Sequence, residues 1–257
     1  MYYRMPEPPG LDSVRRFSDR ADDYVKYRPS YPAEAVAAIV DGLGAPARLV
    51  VADVGAGTGI SARLLGDLGA RVVAVEPGEI MRRAAAGHDH VEWIAGRAEA
   101  TGLRAASVDL VVCAQSFHWF HVSEALREFA RILKSHGRLA IVWNRRSQTD
   151  PLTAGYRQAI LDVGGEVAAE RMPFDPESVA RSGLFGPLER LTFPNAQHLD
   201  LDGLLGRAWS ASYVPKSGPE SDRLTDLLRT LHGRYADANG MVSLVYDTEI
   251  YLATKMT

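Results

Sequence analysis

Glycines occupy every second position at Gly55, Gly57 and Gly59, between the apolar run Val50-Val51-Ala52-Asp53-Val54 and a segment of helical pattern. One helix's length later a second apolar run, Arg71-Val72-Val73-Ala74-Val75, ends on the carboxylate of Glu76. A strand that feeds a glycine turn and then a helix permits the positive backbone angles of a tight turn and close approach of a ligand to the main chain. An acid at the end of the second strand can accept hydrogen bonds from both hydroxyls of a ribose. Together these residues describe a nucleoside site.

The spacing bears on which nucleoside. In the dinucleotide pattern G-x-G-x-x-G, counting from Gly55 puts Ile60 where the last glycine belongs, whereas here the glycine comes one residue early, at Gly59. Asp53 would repel a pyrophosphate at this turn but would attract an ammonium group. S-adenosylmethionine carries that ammonium and no phosphate. Farther along, His118 falls just after an apolar strand, at the carboxyl edge where open α/β sheets bind ligands, and imidazole can take a proton near neutral pH. His118 is therefore the general-base candidate, with shaping of the pocket as its alternative role.

The chain resembles the class I S-adenosylmethionine-dependent methyltransferases. Beyond the glycine loop, the residues that carry the resemblance are Asp109-Leu110-Val111-Val112-Cys113-Ala114-Gln115-Ser116-Phe117-His118-Trp119-Phe120, similar to the family's fourth strand and following loop. Gly96-Arg97-Ala98-Glu99 resembles the loop that holds the adenine, with the acid facing its exocyclic amine. Phe17 to Pro32, with Tyr24, Tyr27-Arg28-Pro29 and Tyr31-Pro32, resembles the N-terminal lid of the small-molecule branch that includes trans-aconitate methyltransferase-like proteins. The resemblance implies that Tyr27, Arg28, Asp53, Gly55, Ala56, Gly57, Gly59, Glu76, Pro77, Met81, Ala98, Glu99, Gln115 and Ser116 surround the cofactor. It implies that Tyr24, Trp119, Arg145, Trp209 and Tyr213 face the acceptor, with Arg145 and Arg146 either recognising a carboxylate or standing in solvent. No metal is expected, since methyl transfer from a sulfonium needs none.

Positioning these residues requires alternating strands and helices around a parallel sheet. The pattern predicts a helix over 32–43, strands over 48–53, 71–76, 91–95, 107–113 and 138–143, and helices over 59–69, 78–87 and 121–134. Strands near 188–194 and 242–253 would form an antiparallel pair. The expected fold is α/β, a Rossmann-like, doubly wound, seven-stranded methyltransferase sheet. A lid segment over 1–31 precedes the methyltransferase domain at 32–257, which contains helical cap elements within 145–183 and 199–238.

The chain has 257 residues, 46% of them hydrophobic, and a formal net charge of -3. That charge leaves no basic surplus for a phosphate backbone, so the expected partner is a small-molecule acceptor, with neither nucleic acid nor membrane and an open oligomeric state. The single cysteine, Cys113, lies in an apolar strand and builds no disulfide framework. The start lacks a signal-peptide pattern, and the expected location is the cytoplasm, with secondary metabolism as the setting. Three alternatives stay open at this stage: a non-catalytic S-adenosylmethionine-binding protein, an NAD-dependent oxidoreductase, and an enzyme that uses the bound sulfonium for a rearrangement or cyclisation.

Overall fold

The computed structural model describes residues 25–164, 174–211 and 214–256. Tyr24, Ser212 and Tyr213, and the lid up to residue 24, lie outside the described residues. Seven strands form one sheet: β1 (Val50–Val54), β2 (Arg71–Val75), β3 (Val91–Ile94), β4 (Val108–Ala114), β5 (Leu133–Arg146), β6 (Glu189–Leu199) and β7 (Val242–Thr254). Their order is β3-β2-β1-β4-β5-β7-β6. The pairs from β3 to β5 are parallel, whereas β7 runs antiparallel to both β5 and β6. The strand order reverses between β1 and β4, and this switch point opens a crevice at the carboxyl ends of those strands.

The central strands are apolar on both sides because both sides are covered. Val51, Ala52 and Val54 of β1 and Leu110, Val111 and Val112 of β4 are wholly buried. One face packs against α1 (Ala33–Val40) and α2 (Ile60–Asp67), through Val36, Ile39, Ala62 and Leu65. The other packs against α4 (Val122–Ile132), which follows α3 (Glu79–Ala84) and presents Ala125, Leu126 and Phe129.

A third cluster stands apart from these two. Helices α5 (Pro151–Gly164), α7 (Leu201–Trp209) and α8 (Pro219–Tyr235) enclose Tyr156, Ile160, Leu204, Leu224 and Leu228 against Val242, Leu244 and Tyr246 of β7. The short α6 (Pro176–Arg181) instead sends Val179 into the core beneath α4. The cap thus shares strand β7 with the sheet. Expectation and structure differ mainly at the two strands that flank β7: β6 extends to Leu199, and β5 runs on to Arg146. Hydrophobic pattern alone does not locate those ends, because pairing with β7 prolongs polar stretches such as Asn144-Arg145-Arg146 into the ladder.

Candidate active site

The turn after β1 is held by the end of β2. The N–H groups of Gly55 and Ala56 donate to the Val75 carbonyl at 2.9 and 3.2 Å. Gly55, Gly57 and Gly59 all have positive φ, at 69°, 59° and 78°. At two of these positions a side chain is excluded by the protein itself. A Cβ at Gly55 would come within 2.6 Å of Ser116 Cβ, and one at Gly59 within 2.6 Å of the Trp93 ring. The sequence assigns these glycines to ligand clearance and to the angles of the turn; the positive φ values bear on the second, and at Gly55 and Gly59 close packing of neighbouring side chains is a further reason for glycine.

Glu76 follows β2 directly and is 9% exposed. Its Oε2 accepts from the Gly57 N–H at 2.9 Å and its Oε1 from the Gly78 N–H at 2.7 Å. Each carboxylate oxygen has two acceptor directions, so one remains on each oxygen, the number a vicinal diol needs. Burial raises the Glu76 pKa, opposed by the two N–H bonds and by the nearby Arg82. Pro77 beside it is exposed, and Met81 is buried one turn into α3.

Asp53 is completely buried, and burial pushes its pKa up to about 7 against the hydrogen bond from Ser61. Ser61 Oγ donates to Oδ2 at 2.6 Å, while Oδ1 has no hydrogen-bond partner among the described residues. An unpartnered buried acceptor beneath the glycine turn is an unsatisfied polar group that a ligand cation would compensate.

The β4 end supplies the next contacts. Gln115 adopts φ 56°, unusual for a residue other than glycine, and its Nε2 donates to the Asn144 carbonyl at 3.4 Å. Ser116 Oγ donates to the Val54 carbonyl at 2.8 Å, which ties this turn to the glycine turn. His118 lies in the following 3-10 turn, its ring 4.7 Å from Trp119 and 5.3 Å from Trp143, centroid to centroid. Burial, helped by the charge of Arg28, pushes its pKa down to about 4, and Nδ1 has no partner among the described residues. The imidazole is therefore neutral at neutral pH. A pKa this low makes His118 a weak proton acceptor, better suited to orienting a group than to deprotonating one.

Residues 27–31 run between cap and sheet. Arg28 Nη2 donates to the Ser210 carbonyl at 3.0 Å, and Gln197 Nε2 donates to the Tyr27 carbonyl at 2.9 Å. The amides of Asn144 and Asn195 both donate to the Ser30 carbonyl, at 3.1 and 2.9 Å. The Tyr27 ring lies over Gly206 so closely that a Cβ there would stand 2.2 Å from it.

A model of the methyltransferase domain matches residues 52–141. An uncharacterized methyltransferase-like protein of Schizosaccharomyces pombe is 36% identical over 222 residues, 82% of each chain. An uncharacterized methyltransferase of Mycobacterium tuberculosis is 33% identical over 251 residues, 95% of this chain and 97% of that protein. The chain is a class I S-adenosylmethionine-dependent methyltransferase. Its fold is also that of a crystallised methyltransferase candidate from an antibiotic biosynthesis pathway of Anabaena variabilis, with TM-score 0.63 and 23% identity over 91% of this chain and all of that one.

Within this methyltransferase, several of the residues assigned from sequence to the cofactor lie where β1, β2 and β4 end. The contacts above tie the glycine turn to Glu76 and Ser116, with Asp53 two residues before the turn, whereas Tyr27 and Arg28 lie against the cap. Glu99 Oε1 accepts from the N–H of His121, the residue before α4, at 2.8 Å. Ala98 beside it is buried in the core under α4. On the acceptor side, Arg145 is paired with Glu249 at 3.1 Å, and Trp209 packs against the cap cluster. The buried carboxylate that engages Arg145 is also held by Arg190, at 2.7 Å. Successive residues of a strand face opposite sides, so Arg146 shares a face with Tyr246 instead. Sequence reasoning missed Arg207 and Tyr246. Their only signal was an arginine and a tyrosine within apolar segments.

Proposed function

We propose that this methyltransferase binds S-adenosylmethionine across the ends of β1, β2 and β4 and methylates a small-molecule acceptor held beneath the cap. The observation that carries the reading is Glu76, a nearly buried carboxylate fixed by two backbone N–H groups with one acceptor direction left on each oxygen. The residues present suit the cofactor: Glu76 would take the ribose hydroxyls, the unpartnered oxygen of Asp53 would compensate the ammonium, and Met81 and Pro77 would flank the adenosine. When bound, the cofactor supplies a methyl group on a sulfonium, already activated for in-line transfer.

The protein's own contribution is alignment and exclusion of water. His118 sits between Trp119 and Trp143 as a neutral group that can accept a hydrogen bond from the acceptor and fix its orientation. An enclosed small molecule, rather than nucleic acid, is supported by the cap cluster and the net charge of -3. The Tyr27-Arg28-Pro29 segment docked between cap and sheet supports kinship with the small-molecule branch that includes trans-aconitate methyltransferase-like proteins. The lone cysteine, buried in β4, accords with a reducing, cytoplasmic setting.

The test is an acceptor screen with cofactor labelled in the methyl group, read by the mass of the product and paired with calorimetric binding of S-adenosylmethionine. Cofactor binding with a product heavier by one labelled methyl is the expected result. Absence of cofactor binding would overturn the reading.

A further inference from the structure

The acceptor side holds a group of cations that the cofactor does not account for. Arg207 of α7 is 3% exposed, and its Nε has no hydrogen-bond partner among the described residues. Its Nη1 donates to Ser210 Oγ at 3.2 Å, while Arg28 reaches the carbonyl of that same Ser210. Arg146 is the cross-strand partner of Tyr246, and its guanidinium lies 5.4 Å from the centre of the Tyr156 ring. The Tyr246 hydroxyl is buried, and Arg207 stands beside it without forming a hydrogen bond of good geometry. Burial raises the pKa of this phenol, yet the charges of Arg207, Arg146 and Arg28 outweigh burial and bring it below the usual value.

Burying the Arg207 guanidinium without a carboxylate partner among the described residues is costly, and a bidentate oxyanion is the ligand that removes the cost. Along the sheet, β7 stands three strands from β1, a lateral separation of roughly 14 Å by strand spacing, so the subsite lies to one side of the glycine turn. We propose that Arg207, Arg146 and Tyr246 form an oxyanion subsite that anchors a carboxylate or phosphate group of the acceptor, with Arg28 linking this subsite to His118. The inference rests on the functional reading above and names its substrate class.

The probes are benzoate, phenyl phosphate and benzamide, titrated calorimetrically into the protein with and without S-adenosylhomocysteine. Benzoate or phenyl phosphate should bind and benzamide should not, and whichever anion binds more tightly distinguishes a carboxylate from a phosphate acceptor. Arg207→Met should weaken that anion about tenfold or more and leave S-adenosylhomocysteine affinity unchanged, with Arg207→Lys restoring part of the loss. If Arg207→Met does not fold, Arg146→Gln carries the same comparison. Equal binding of benzamide, no binding of either anion, or a loss that falls on S-adenosylhomocysteine instead would overturn the subsite. Failure of S-adenosylhomocysteine to bind would strike at the functional reading instead, and the anion titration without it would still report on the subsite.

Discussion

The β1–β2 end of the sheet is built on the main chain: a turn of three positive-φ glycines and one carboxylate pinned by two backbone N–H groups. Toward β4, β5 and β7 the structure brings together side chains from separate elements, Arg28, His118, Arg146, Arg207 and Tyr246. In the proposed reading the first end meets a ligand part that is constant in chemistry, a ribose and an amino acid, through two carboxylates held at the glycine turn. In the same reading the second end would discriminate among acceptors, and long side chains on separate elements can be exchanged one at a time without refolding the sheet. The contrast teaches that damage to the two ends should separate into cofactor affinity on one side and acceptor recognition or turnover on the other.

The largest effect is expected at the turn itself. Gly57→Val places a β-branched side chain at φ 59° and disturbs the N–H held by Glu76, so S-adenosylmethionine binding should fall below calorimetric detection in the folded variant. Glu76→Ala removes charge-assisted bonds and should weaken the cofactor by about 1.5 to 3 kcal/mol, roughly 10- to 150-fold in Kd. Unchanged cofactor affinity in both variants would break the comparison at its first end.

His118→Ala addresses the other end. It should lower kcat by about 10- to 100-fold while leaving cofactor affinity intact. Because the imidazole pKa is down at about 4, kcat should show no step near 6.5 in the wild-type enzyme. A step there would restore His118 to the role of general base.

A smaller effect tests the charge on Asp53. With its pKa up at about 7, this group is half protonated at neutral pH in the free enzyme, and an arriving ammonium favours its ionised form. Binding of S-adenosylmethionine at pH 7 should then release about 0.5 proton, seen as a dependence of the calorimetric heat on buffer ionisation, and affinity should rise with pH through 7. Asp53→Asn should abolish the release; persistence of the release in that variant would assign the proton elsewhere.

A further effect is expected on stability at acid pH. His118 has a folded pKa below its unfolded one, so the unfolded chain takes up a proton first as pH falls from 6.5 toward 4. Stability is full above that range and declines through it. His118→Asn should decline less over the same window, as measured by the difference between the two Tm profiles. Parallel profiles would show that the ring titrates normally.

The sequence by itself determined the sheet, the turn and the acid that follows β2. Parallel strands covered on both faces leave continuous apolar runs, and a glycine turn with its acid is local, spanning Asp53 to Glu76, so pattern and spacing are enough to read them. Tertiary structure alone decided the division of labour among the cations. Arg145 and Arg146 are neighbours in sequence, yet pleating sends one to Glu249 and the other to Tyr246. Glu99 meets the residue that precedes α4, and Gly55 and Gly59 also make room for Ser116 and Trp93. Arg207 and Tyr246 become neighbours only when α7 closes over β7. A charge's partner depends on distances of a few ångströms across the fold, and the order of residues along a chain does not carry that information.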